Sequence, residues 1–528
     1  MRKAWFNRKL PRRSFLHSAA LGAISAMVTA CRPTLLPKPT TTTQSAPTSP
    51  PAQLVKVTAT RNISPPATAT VAPTGIPTKP PTARPAFSSG MIRPSDDGHG
   101  FVVNGSNQPF VPIGCNYFDP QTGWAPRIWE RYDHARVARQ FEQIAGAGFT
   151  VIRVFLDLST LNPLTDYYSE KGFAKVDDMI KIASEAGLRI IFSGPNTWQG
   201  TPAHFAGNRF TDPKVIDHTN ALWRKIAQRY GRSQTILTWD LLNEPSLSWP
   251  LYDANILPKW RMHAKAALGL DVTDKLPGMD AAGLDRNLWC EYVRFQESVA
   301  EEWVRLQVET LREAGAEQMI SVGLIQWSIP VFLPRGASYS CFNPQRFSPY
   351  LDYTSIHFYP MLRQPDLDQE IDLQRAYLQV VVRGAFVPGK PLVLEEFGGK
   401  GGKRVPGEAT TWPQSQQARW GEVLMAATRD VCSGWLNWAY ADAASPSADL
   451  SAASGLWTEN EEVKEWGLAF SAHARALSSK PPVYAAAKVI WLLEHCEHLY
   501  RFGGYPPLDW LASQLATQPS DSVAVTFY

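Results

Sequence analysis

From about Phe87 onward, compact apolar runs of six to eight residues recur along the chain: 110–116, 149–155, 188–193, 235–242, 318–323, 351–357, 391–396 and 433–439. Between most of them apolar residues return every three or four positions, the period of a helix with one buried face. Such stretches cover 133–147, 172–186, 213–230, 290–315, 413–431 and 461–477. The first two stop at Gly148 and Gly187, the residue type that ends a helix in the left-handed conformation. Ahead of the first run, Phe101–Phe110 alternates around an Asn-Gly turn and predicts a short hairpin. Eight strands alternating with helices predict an α/β protein, a (β/α)8 TIM barrel enlarged by loop insertions. The competing doubly wound sheet normally carries a glycine-rich phosphate loop after its first strand, and Gly114-Cys115-Asn116-Tyr117 is unlike one. The longest insertion, 246–289 after the fourth strand, places Trp249, Trp260 and Trp289 on the face where barrel active sites lie.

The pattern is different before Phe87. Residues 32–86 contain 13 Pro and 13 Thr, with no aromatic and no acidic residue. Such a segment buries too little apolar surface to offset chain entropy, and it predicts a disordered Pro/Thr-rich linker with a reach of ~150 Å. Residues 1–31 combine a basic start with a moderately apolar run too short to span a bilayer. Pro11-Arg12-Arg13-Ser14-Phe15-Leu16 resembles a twin-arginine export signal, and Val28-Thr29-Ala30-Cys31 resembles a bacterial lipobox with Cys31 as the lipidated residue. The division expected is therefore 1–31 signal segment, 32–86 linker, 87–478 catalytic domain and 479–528 an extension of unassigned role.

Charge follows the same division. The chain of 528 residues carries a formal +4, but six of its basic residues lie in 1–31, which leaves 46 basic against 48 acidic side chains elsewhere. That balance argues against a nucleic-acid partner, which needs phosphate neutralisation. Six cysteines without CxxC spacing form neither a disulfide framework nor a zinc site, and no disulfide is expected to be required. His204 and His218 stand too far apart in sequence for a helical ligand pair and no HExxH occurs, so neither metal nor cofactor is expected.

The chemistry signal is acidic. Trp239-Asp240-Leu241-Leu242-Asn243-Glu244-Pro245 closes the fourth predicted strand and Leu392-Val393-Leu394-Glu395-Glu396-Phe397-Gly398 the seventh. Carboxylates at the C-terminal ends of barrel strands sit on the active-site face. The competing reading pairs each Glu with a nearby cation such as Arg153 or has it cap a loop. Adjacent strand residues point to opposite faces, so one of Glu395 and Glu396 is expected at the mouth.

These motifs, in order, resemble glycoside hydrolase family 5 and its clan of retaining barrel glycosidases. The resemblance runs over residues 99–478. It rests on Gly114-Cys115-Asn116-Tyr117, Val151-Ile152-Arg153-Val154, Asn243-Glu244-Pro245, Ser355-Ile356-His357-Phe358-Tyr359-Pro360, Glu396-Phe397-Gly398 and Gly434-Trp435-Leu436-Asn437-Trp438. It implies Glu244 as general acid/base and Glu396, directly before Phe-Gly, as nucleophile. Arg153 and Tyr359 would then hold Glu396 ionised, Asn243 would bind the sugar 2-hydroxyl, His357 would line the pocket and Trp438 would face the sugar ring. The bland alternatives are an ordinary ion pair for Arg153 and a core filler for Trp438. Asn116 and Trp198 complete the substrate-binding set. Many family members carry a His after strand three, where this chain reads Ser193-Gly194-Pro195-Asn196-Thr197-Trp198. Asn196 or Trp198 would take that space.

The expected activity is a retaining endo-β-glucanase or endo-β-mannanase acting on polysaccharide by double displacement. The alternatives are an exo-acting β-mannosidase or β-glucosidase on oligosaccharides, and an inactive carbohydrate-binding surface protein. The expected protein is a monomer, exported, and either lipid-anchored at the outer face of a bacterial cell membrane or extracellular or periplasmic.

Overall fold

The computed structural model describes residues 86–196, 201–247, 255–272, 286–329, 339–362, 366–408, 411–444 and 450–479. The signal segment with Cys31, the linker up to residue 85, nearly all of the 479–528 extension, Trp198 and Trp249 lie outside them.

Eight parallel strands close into a barrel: β1 Ile113–Asn116, β2 Val151–Asp157, β3 Arg189–Asn196, β4 Ile236–Asn243, β5 Met319–Leu324, β6 Thr354–Phe358, β7 Leu392–Phe397 and β8 Gly434–Asn437. All eight coincide with predicted apolar runs. Closure comes from β8 pairing with β1 on one side and β7 on the other. The strands are buried on both faces, which is why they read as continuous apolar runs rather than clean alternation. Outward residues such as Ile152, Val154, Trp239 and Ile356 join the large core beneath the helices. Inward Val151, Ile191, Leu237, Met319, Tyr353, Val393 and Leu436 fill the lower barrel.

The helices surround the barrel. Those longer than four residues are α1 His134–Gly146, α2 Glu170–Glu185, α3 Pro213–Tyr230, α4 Leu257–Leu268, α5 Arg286–Glu313, α6 Ile371–Ala385, α7 Gln414–Thr428 and α8 Glu465–Ser479 among the described residues. Asp133, Ser169 and Asp212 cap α1, α2 and α3 by accepting from a free backbone N–H of the first turn. Gly148 and Gly187 follow the first two at φ +90° and +75°, the expected helix ends.

The structure adds three elements to the sequence reading. Helix α6 is absent from the sequence reading although Asp372, Arg375, Gln379 and Arg383 form a polar stripe at helical spacing along its one unburied face. Helix α4 lies in the 246–289 insertion and packs on the start of α5 through Ile256, Trp260, Ala264, Tyr292 and Phe295. Trp260 is fully buried there, so it is a core residue of the insertion and not part of an open face. Finally, a strand at Ile92–Pro94 joins the predicted hairpin, now Phe101–Val103 with Pro109–Phe110, as a three-stranded sheet. Ile92 and Phe101 of this sheet pack on the lower barrel residues and close its floor.

Candidate active site

The upper barrel is polar, and Arg153 of β2 is its centre. The guanidinium is fully buried and every nitrogen is engaged. Nε and Nη2 donate to Asp240 Oδ2 at 3.1 and 2.6 Å, and Nη2 also donates to Asn243 Oδ1 at 2.7 Å and Ser193 Oγ at 3.2 Å. Nη1 donates to Asn116 Oδ1 at 2.8 Å and Glu396 Oε1 at 2.5 Å. Burial works against the positive charge, but the neighbouring acids, Asp240 first and then Glu396, hold Arg153 protonated.

Glu396 sits at the end of β7 with 4% of its side chain exposed. Its second oxygen, Oε2, accepts from the Tyr359 hydroxyl at 2.7 Å and lies 3.6 Å from His357 Nδ1. Desolvation pushes its carboxyl up, while His357, Arg153 and the Tyr359 hydrogen bond oppose that rise.

Glu244 follows β4 on the opposite side of the mouth. Its φ is +47°, in the left-handed region that non-glycine residues avoid, and its N–H donates to the Gly323 carbonyl at 2.7 Å. Strain of this kind costs on the order of 1–3 kcal/mol and concentrates at functional positions. It turns the side chain into the cleft, 23% exposed, where His357 Nδ1 meets Oε1 at 3.0 Å. Desolvation raises the Glu244 carboxyl to about 7, with Arg153 pulling weakly the other way. His357 is fully buried, and desolvation, against the Glu396 charge and aided by Arg153, lowers it to about 4. His357 is therefore neutral near pH 7, and its Nδ1 shares a hydrogen bond with Glu244 Oε1.

One oxygen of each glutamate and one His357 nitrogen all lie within 4.8 Å of one another. Among the described residues this is the one set of three close enough to share a cation. The Arg153 charge already touches its Glu396 member.

The predicted site residues divide by depth. Glu244, Glu396, Arg153, Asn243, His357 and Tyr359 converge on one pocket. Asn243 gives its oxygen to Arg153 and keeps its amide N–H2 as a donor. Asn116 is also in the cluster but fully buried, with its oxygen on Arg153 and its Nδ2 donating to the Glu395 and Asn437 carbonyls. It orients Arg153 instead of facing an open cleft. Trp438 is 6% exposed and packs against Phe118, Trp124 and Phe155, with Nε1 donating to Ser451 Oγ at 3.0 Å. His204 and His218, far apart in sequence, come together with ring centroids 5.2 Å apart, and His204 Nε2 lies 3.0 Å from Asn162 Oδ1.

Two residues that sequence reasoning passed over, and one that it placed by strand parity, matter here. Asp240, inside the Trp-Asp-Leu-Leu-Asn-Glu-Pro motif, carries the main ion pair of Arg153. Gly323 of β5 leaves room at the centre: a Cβ there would meet Arg153 Nη2 at 2.7 Å and both Asp240 Oδ2 and His357 Nε2 at 3.0 Å. Glu395 does not point outward. A register shift between Leu394 and Glu396, against consecutive Ile356 and His357 on β6, inserts one extra residue in β7. Strand parity breaks at this bulge, and both glutamates face the interior, Glu396 at the mouth and Glu395 fully buried beneath it.

A closed (β/α)8 barrel with two opposed carboxyls after its fourth and seventh strands has the architecture of a barrel glycosidase. The family model described as cellulase (glycosyl hydrolase family 5) matches residues 103–441, and the chain belongs to that family. Cellodextrinase A of Ruminococcus flavefaciens is 24% identical over 143 residues, 26% of this chain and 40% of the relative. A probable mannan endo-1,4-beta-mannosidase F of Aspergillus flavus is 25% identical over 178 residues, 29% of this chain and 36% of the relative. The chain thus spans about two-fifths of the length of the curated relatives it matches. Among solved structures, the exo-beta-1,4-mannosidase Op5Man5 from Opitutaceae bacterium strain TAV5 superposes with a TM-score of 0.58 at 20% identity, over 82% of this chain and 72% of that one. At that identity the likeness is one of fold.

Proposed function

We propose that this protein is a retaining glycosidase that cleaves β-linked glucan or mannan by double displacement, with Glu396 as nucleophile and Glu244 as general acid/base. The observation that carries the reading is the unequal surroundings of two carboxyls whose oxygens lie within 4.8 Å. Arg153 and Tyr359 converge on Glu396 and favour its ionised form, whereas Glu244 meets only a neutral imidazole and retains its proton near neutral pH. Glu396 attacks the anomeric carbon as Glu244 protonates the leaving oxygen. Glu244, now a carboxylate, then takes a proton from the water that hydrolyses the glycosyl ester. The Asn243 amide is a donor for the 2-hydroxyl, and Trp438, after β8, is read as the face for the sugar ring. Two intact, oriented carboxyls weigh against an inactive carbohydrate-binding protein.

Endo action on polysaccharide is the reading we favour, supported by the family match and the mannanase relative. Exo action on short oligosaccharides is the second reading, supported by the likeness to an exo-mannosidase and by the α4 insertion that follows the Glu244 strand. Product lengths from mannan, β-glucan and xyloglucan distinguish them. A ladder of oligosaccharides supports endo cleavage, and accumulation of monosaccharide alone supports the exo reading.

Arg12-Arg13 and the Val-Thr-Ala-Cys31 sequence support export of a monomeric, lipid-tethered enzyme, with the 55-residue linker holding the barrel away from the membrane. Among the described residues no helix is long and apolar enough to cross a membrane. Cys31→Ser should move the protein from the membrane to the soluble fraction without changing catalysis, and unchanged membrane recovery would exclude the anchor.

A further inference from the structure

The two-glutamate mechanism leaves one buried acid without a role. Glu395 is completely enclosed, and its oxygens meet two hydroxyls: Tyr353 OH at 3.0 Å from Oε1 and Ser355 Oγ at 2.6 Å from Oε2. Arg153 Nε is 3.7 Å away, but its hydrogen bond goes to Asp240. The groups around Glu395 are Arg153 on β2, Asp240 on β4, Tyr353 just before β6, His357 on β6, and Glu396 beside it on β7. Within this set Arg153 is the sole fixed positive charge, and Asp240 and Glu396 already take its hydrogen bonds. A third buried carboxylate would face two others across one guanidinium, far from water, an arrangement that strongly favours the neutral acid. Hydroxyl partners suit that form. A carboxylic acid donates to Ser355 Oγ and still accepts from Tyr353.

We propose that Glu395 keeps its proton in the working enzyme and acts as a neutral positioning residue beneath the catalytic pair. Its partners are Ser355 of β6 and Tyr353 directly before that strand, so its hydrogen bonds clamp β7 to the start of β6 beneath the bulge that delivers Glu396 to the mouth. Remaining neutral, it leaves the Arg153 charge to Asp240 and Glu396. Burial first, then the Asp240 charge, raises the Glu395 carboxyl to about 7, in keeping with that role. The proposal rests on the reading of Glu396 as nucleophile, but the proton itself is detectable without any substrate.

The test compares the wild type with Glu395→Gln and Glu395→Leu. At pH 6 the wild type should show the infrared carbonyl band of a buried carboxylic acid that Glu395→Gln lacks. On raising the pH through about 7, the wild type should lose melting temperature relative to Glu395→Gln, because a raised carboxyl destabilises the fold as it ionises. On an aryl β-glycoside, Glu395→Leu should lose more than tenfold in kcat, and Glu395→Gln, neutral but able to hydrogen-bond, should recover to within about threefold of wild type. Absence of the acid band, or a Gln variant as impaired as the Leu variant, would overturn the proposal. If no β-glycoside is turned over while the band and the melting shift are present, the glycosidase reading fails and the buried proton stands.

Discussion

Arg153 Nη1 lies 2.5 Å from Glu396 Oε1, and Glu244, whose own oxygen is within 4.8 Å of Glu396, receives no hydrogen bond from that guanidinium. Two residues of the same type, a few ångströms apart, thereby acquire different chemistry. The difference originates in β2, which sends Arg153 across the barrel toward β7, and in the turn after β4, which lifts Glu244 to the exposed side of the mouth. Coupled carboxyls divide their protons according to such neighbours.

Removing each carboxyl should therefore have a different signature. Glu396→Ala should abolish turnover, and azide should restore it by attacking the vacated face to give the α-glycosyl azide. Glu244→Ala should lose activity by several orders of magnitude on natural substrates yet retain much of it on aryl glycosides whose leaving group needs no proton. Kinetics with and without azide check both. Azide rescue of Glu395→Ala in place of Glu396→Ala would reassign the nucleophile.

The raised Glu244 carboxyl has consequences for both rate and stability. Turnover should fall as pH rises through about 7, where the acid loses its proton. Because the folded-state value lies above the 4.5 of an ordinary Glu, the associated stability is complete below about 4.5 and is lost as pH rises through about 7. Glu244→Gln removes that loss. It should be inactive yet more stable than wild type above pH 7, by up to about 3 kcal/mol, and the gap should close toward pH 4.5. Thermal melts across that range measure it.

Gly323→Ala tests the packing at the centre. Its Cβ would lie 2.7 Å from Nη2 of the Arg153 guanidinium, which is held by partners on four strands at once, so neither partner has room to retreat. We expect a stability cost of about 1–3 kcal/mol and a fall in kcat of tenfold or more. Denaturant unfolding and steady-state kinetics report the two effects separately.

Much of this was legible in the sequence. The eight barrel strands are apolar runs that no other placement satisfies, and Asn-Glu-Pro and Glu-Phe-Gly announce chemistry because polar residues there interrupt otherwise buried strands. What escaped reading depends on neighbours in space. Glu395 and Glu396 follow strand parity until the register against Ile356 and His357 slips, and that slip is a property of the pair of strands, not of Leu394-Glu395-Glu396 alone. Asn116 carries the same side chain whether it faces sugar or Arg153, and only the closed barrel decides which. Trp260 sits in an insertion whose helical pairing with Tyr292 and Phe295 has no local signature.

The stereochemistry of the first-formed product tests the central claim most directly. Carboxyl oxygens within 4.8 Å leave no room for a water between nucleophile and anomeric carbon, which requires ~6.5–9.5 Å between the two groups. Proton NMR during the first minutes of hydrolysis of a β-linked oligosaccharide should show the β-anomer appearing first, with the α-anomer growing in only by mutarotation. Appearance of the α-anomer first would contradict the account.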